Sequence, residues 1–179
     1  MNKTKEKKNF KTLDLVYIAM GAVLITICAW IKIPATIPFT MQTFAVFFVL
    51  SALGGKRGMA AVLVYVLLGA VGAPVFAQIA SGTGGYIVGF IFMGLIYWLM
   101  VGLFGKKIWI EIIAMIIGLM VVYIFGTVWF MVVYAQVNGT ISLATILAWC
   151  VIPFIIPDLI KLWLALILAK RLSSLMKLQ

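Results

Sequence analysis

Two ionisable residues three positions apart, Asp158 and Lys161, lie inside a long apolar run, in the segment IPFIIPDLIKLW (152–163). That spacing puts both side chains on one face of a helix. Charges within a lipid-facing run are costly and by default mark a ligand or ion pathway; the plain alternative is a structural pair that neutralises itself. Pro153 and Pro157 are expected to break the run. A proline at a first helical position with Asp just after it suits a new helix N-terminus, so both charges should fall in the first turn after the break. Gln42, Gln78 and Tyr86 are polar groups that could join them, although each alone is at home at a helix end or membrane interface. The set suits a small ligand with an uncharged polar head, an apolar body and an anionic tail. Asp158 would accept N–H bonds, amides and hydroxyls would complete the head, and Lys161 would hold the anion.

Other chemistries lack their parts. The chain has no His, and its four acids are Glu6, Asp14, Glu111 and Asp158. Glu6 and Asp14 fall in or beside a basic tail, and Glu111, four residues after Lys107 at a helix start, is expected to form a surface pair with it. General acid–base catalysis, a metal site and a nucleophile–His pair are thus not expected. GGKRG (54–58) and GLFGKK (102–107) lack the spacing and the Ser/Thr of a phosphate-binding Walker loop. The expectation is a protein that is not an enzyme and needs no cofactor; any active transport would draw on a partner or an ion gradient. Cys28 and Cys150 each sit in apolar stretches and are expected as buried thiols.

The elements that position these residues follow from composition. Of 179 residues, 66% are hydrophobic and 10% charged, with a mean hydropathy of +1.25. A soluble domain of this length does not need so much apolar material, so the expected solvent is lipid. Apolar stretches interrupted by charge, Gly or Pro give six spans, near 14–31, 39–53, 58–76, 86–104, 109–136 and 143–170. A basic tail (1–12), a six-helix transmembrane domain (13–172) and a short C-terminal tail (173–179) account for the chain.

The net charge of +10 would suggest nucleic acid in a soluble protein; here the positive residues flank the spans and set orientation. Lys3, Lys5, Lys7, Lys8 and Lys11 precede the first span, Lys56 and Arg57 lie between the second and third, and Lys106 and Lys107 between the fourth and fifth. Lys170, Arg171 and Lys177 follow the sixth. The alternate connections hold Lys32 alone, a ratio of twelve to one. By the positive-inside rule both termini are expected in the cytoplasm of a cell whose plasma membrane holds the chain. The opposite connections, IPATIPFTMQ (33–42), APVFAQIASGTGGY (73–86) and AQVNGT (135–140), are rich in Gly, Pro, Ser and Thr. Irregular backbone of this kind survives near lipid when it is buried in protein or lines a cavity, and the first two are expected to wall an outward-facing pocket. In the first span, Ala19, Ala22, Thr26 and Ala29 recur at spacings of 3, 4 and 3. This small-residue stripe would let another helix approach closely, either a partner's or one of the chain's own.

PFTMQTFAVFF (38–48), LLGAVGAPVFA (67–77), GTGGYIVGF (82–90) and PDLIK (157–161), in that order and with six spans, resemble the BioY family, the biotin-binding S components of energy-coupling-factor (ECF) transporters. The resemblance covers most of the chain. It implies an all-α, six-helix membrane bundle with both termini inside. It also implies high-affinity biotin uptake energised by a transmembrane coupling protein and two cytosolic ATPases. By it Gly84, Gly85, Tyr86, Asp158 and Lys161 would line the biotin site; Gln78, Gln42 and Phe39 are added from position and chemistry. It further implies that the first helix meets the coupling protein through small residues, although Val23 and Thr26 stand where Ala would be expected. Two other classes stay open: an independent ion-coupled carrier, and a structural membrane protein whose Asp158 and Lys161 merely pair.

Overall fold

The computed structural model describes residues 11–33, 39–75, 82–139 and 141–176. The elements are α1 (Thr12–Trp30), β1 (Lys32–Ile33), β2 (Phe39–Thr40), α2 (Gln42–Leu53), α3 (Gly55–Ala70), α4 (Gly84–Phe104), α5 (Ile108–Asn138), α6 (Leu143–Cys150) and α7 (Ile152–Met176). Segments α6 and α7 are two parts of one rod interrupted at Val151, so among the described residues the bundle has six helical rods beside one short β-pair. Four stretches, Thr12–Trp30, Gly84–Phe104, Ile108–Asn138 and Leu143–Leu172, are long and apolar enough to cross a membrane.

Several boundaries differ from expectation for identifiable reasons. Residues 39–41 are not helical: β1 and β2 pair antiparallel, Lys32 opposite Thr40 and Ile33 opposite Phe39, which satisfies backbone groups before α2 begins. Helix α3 starts at Gly55 and ends at Ala70, where Gly72 turns the chain with φ of +93°, a conformation glycine adopts without cost. The last rod breaks at Val151, ahead of both prolines. Pro153 sits in the first turn of α7, where its missing N–H is no loss, and Pro157 is carried inside the helix. Asp158 and Lys161 therefore follow the first turn instead of falling within it. Helix α7 also continues to Met176, so part of the expected C-terminal tail is helix.

Helix α2 is the centre of the bundle. It has 12 residues, about 18 Å of length, and buries Gln42, Ala45, Val46, Phe47, Val49, Leu50, Ser51 and Ala52. A helix apolar on all sides is a buried one, and α1, α3 and α7 pack around it. Helices α4 and α5 pack along their length, because glycines let them come close. A Cβ at Gly89 would lie 2.8 Å from the Cα of Val122, and one at Gly126 would collide with the ring of Tyr86. Small residues at such crossings are how helices associate in lipid.

The stripe on α1 belongs to this internal packing. Ala22 and Ala29 are buried at 3% and 8% exposure, and Thr26 turns its hydroxyl to the Ala22 carbonyl, 2.9 Å away. Of the four residues expected to form a docking stripe, only Ala19 is exposed. The outward row of α1 is instead Val16, Met20, Val23, Ile27 and Trp30. Small side chains serve an internal crossing as well as an external one, and here α2 and α3 occupy that side.

The acids also moved inward. Asp14 accepts the Lys11 N–H at 3.0 Å and pairs with Arg57 at 2.7 Å, tying α1 to α3. Glu111 is 3% exposed and, instead of pairing with Lys107 on the surface, accepts hydrogen bonds from Tyr97 and Ser51.

Candidate ligand cavity

Asp158 and Lys161 lie one turn apart on α7, 2% and 5% exposed, with Lys161 Nζ 2.8 Å from Asp158 Oδ1. Thr43, in the first turn of α2, completes a ring. Its hydroxyl donates to Asp158 Oδ1 at 2.9 Å and accepts from Lys161 Nζ at 3.0 Å. Lys161 gives its remaining proton to the Thr40 carbonyl at 2.8 Å, and its ammonium stands 3.9 Å from the centroid of the Phe39 ring. The other carboxylate oxygen, Oδ2, accepts from the Tyr123 hydroxyl at 2.8 Å. An ammonium has three protons and all three are used. A carboxylate offers about four lone-pair sites, of which three are taken, so Asp158 can accept one more donor. Charges buried in this way persist only when paired and fully hydrogen-bonded.

The ion pair forms part of the wall of a cavity of about 310 Å³. Gln42, Tyr86, Asp158 and Lys161, all expected at the site, line it, and Phe39 lies behind it, stacked on the lining residue Phe154 with centroids 6.2 Å apart. Apolar walls come from Ile87, Phe90 and Val122. Gln42 directs its amide N–H to the Tyr65 hydroxyl at 2.8 Å. The Tyr86 hydroxyl donates to the Cys150 carbonyl at 2.9 Å, so its ring faces the cavity while its polar end braces the break between α6 and α7. That carbonyl is available because Phe154 N–H bonds to Val151 instead.

Gly84 and Gly85 are buried at the start of α4 but are not lining residues. A Cβ at Gly85 would collide with the Phe125 carbonyl and the Trp129 side chain, so Gly85 lets α4 seat against α5 and thereby helps aim Tyr86. Gln78 lies outside the described residues. Asp158 and Lys161 could hold opposite ends of a ligand only if they did not pair tightly; they do pair, and form one neutral unit on one wall. Sequence reasoning missed Thr40, Thr43, Tyr123, Trp30 and Lys32, all at the cavity. Thr43, directly after Gln42, was visible as a polar residue entering an apolar run; Tyr123, one of three hydroxyl residues in α5 with Thr127 and Tyr134, carried a fainter signal.

Spanning helices around a cavity walled by a buried ion pair define a multi-pass membrane protein with room for a small molecule. The BioY family profile matches residues 2–178. The chain belongs to the BioY family. It is 36% identical over 174 residues to the biotin transporter BioY of Thermotoga maritima, covering 90% of this chain and 96% of that one. It is 34% identical over 172 residues to the probable biotin transporter BioY of Pyrococcus horikoshii, covering 92% and 98%. Its fold is that of a solved S-component for biotin from an ECF-type ABC transporter, with a TM-score of 0.76 over 97% of this chain and 95% of the other, at 24% identity.

Proposed function

We propose that this chain is the biotin-binding membrane subunit of an uptake system driven by an ECF coupling module. The observation that carries the reading is the cavity bordered by the Asp158–Lys161–Thr43 ring, in a chain whose relatives are named as biotin transporters. Its volume of about 310 Å³ falls at the lower end of the roughly 300–1,000 Å³ typical of small-molecule sites. Biotin has an apolar thiophane and valeryl body and a ureido head with two N–H donors and one carbonyl. The spare lone pair of Asp158 accepts a ureido N–H, Thr43 and Tyr123 hold the carboxylate in place for it, and Phe90, Ile87 and Phe154 enclose the body. Tyr86 and Gln42 shape the walls.

The chain supplies binding and not catalysis in this reading. ATP is hydrolysed by two cytosolic partner subunits, and a transmembrane coupling protein docks on the outward row of α1 around Ala19 and Val23. The end of the bundle carrying Arg57, Lys107 and Lys170 faces the cytoplasm, and the cavity opens to the outside of the plasma membrane. A purely structural role is the second reading, favoured by how completely Asp158 and Lys161 satisfy each other; it predicts no ligand. Titrating biotin into the purified chain in detergent decides between them. Saturable binding at one site per chain is expected, and no saturable binding at any biotin concentration, by radiolabelled biotin as well as by heat, would remove the reading. Uptake in cells lacking a coupling ATPase would favour an independent carrier.

A further inference from the structure

Lys161 has no proton left for a ligand anion, and its charge is cancelled by Asp158. A second ammonium borders the same cavity: Lys32, in β1, is exposed at the mouth and lines the cavity with Thr40 and Trp30. Its placement follows from the hairpin. Lys32 pairs directly with Thr40, and residues directly opposite in an antiparallel pair project to the same face. Lys32 and Thr40 both line the cavity, so the face that the two share is the one toward it. Among the described residues the Lys32 side chain makes no hydrogen bond and no ion pair, whereas Lys161 makes three hydrogen bonds. The Asp158–Lys161 wall is neutral, so among the described residues the cavity lining carries one unbalanced positive charge, that of Lys32.

We propose that Lys32 is the specificity residue that holds the carboxylate of a monoanionic ligand at the cavity mouth, with the neutral ring of Asp158, Thr43 and Lys161 receiving the uncharged head. An ammonium–carboxylate contact is a charge-assisted hydrogen bond, and at an exposed mouth it is screened by salt. A ligand with one negative charge at one end and an uncharged polar group at the other fits this polarity; a cation or a dianion does not. The assignment takes from the biotin reading only the identity of the ligand.

The test uses the full chain in detergent and two probes, biotin and its primary amide, with wild type, Lys32→Gln and Lys32→Arg. Lys32 is exposed, so neither variant disturbs the core. Wild type is expected to bind biotin about tenfold more tightly than the amide at low salt, the gap narrowing as salt rises. Lys32→Gln is expected to lose that tenfold for biotin alone and to bind the amide as wild type does; Lys32→Arg is expected to restore the preference. Equal affinities of wild type for the two probes would overturn the role of Lys32 and leave biotin binding standing, as would an equal loss of both in Lys32→Gln. Failure of wild type to bind either probe would remove the biotin reading itself, and this assignment with it.

Discussion

At the first turn of α2, Thr43 shares its hydroxyl between Asp158 and Lys161; eight residues further along the same helix, about 12 Å away, Ser51 donates to Glu111 at 3.2 Å. Tyr97 donates to the same Glu111 oxygen, and Lys106 donates to the Ser51 carbonyl at 2.7 Å. Both clusters bury an acid, recruit a tyrosine hydroxyl and fasten one end of α2 to its neighbours. They differ in what they border. The Asp158 cluster has an internal counter-charge and faces a cavity, whereas Glu111, Tyr97 and Ser51 are absent from the walls of that cavity. A buried ionisable group in a membrane protein is therefore not enough to mark a binding site. Glu111 braces three helices, and Asp158 braces three helices while offering one unfilled acceptor position to a ligand.

The comparison is broken most forcefully at Asp158. Removing it in Asp158→Ala strands Lys161 as a buried charge, at about 3–5 kcal/mol; a large fall in thermal midpoint and loss of measurable biotin binding are expected. Asp158→Asn preserves shape and should still weaken biotin binding by about 1–3 kcal/mol, read by titration; wild-type affinity in this variant would separate the cluster from the ligand. At the other end of α2, Glu111→Gln should lower stability by about 1–3 kcal/mol in a thermal scan while the folded fraction binds biotin normally. A matching loss of affinity would show that the clusters act as one. The smallest effect is expected from Tyr123→Phe, which removes the donor to Asp158 Oδ2: affinity and stability should each fall by about 1 kcal/mol, read by titration and a thermal scan.

The readable part of the molecule was its local part. Apolar runs, the spacing of Asp158 and Lys161, and the Gly/Pro connections all express themselves over a few residues, and they located the rods, with shifted ends for α2, α3 and the last one. The partners of Asp158 could not be read that way. Thr43 lies 115 positions away and Tyr123 35 positions away, and only the packing of α2 and α5 against α7 brings them in. Residue type also misled where one pattern serves two surfaces. Ala22 and Ala29 look the same in sequence whether they face a partner or the core, and Glu111 four residues after Lys107 looks like a surface pair until Tyr97 and Ser51 are placed beside it. The two prolines signalled a discontinuity that was real but misplaced: the break at Val151 lies two residues before Pro153 and six before Pro157, where the new helix was expected to start, because a proline in a first helical turn marks where a helix has already begun.

The neutrality of the Asp158–Lys161 wall bears on electrical work. A potential of 100 mV does about 2.3 kcal/mol of work on each elementary charge carried across a membrane. On two opposite charges held 2.8 Å apart and moving together, the contributions very nearly cancel. Membrane voltage thus offers this wall almost no handle.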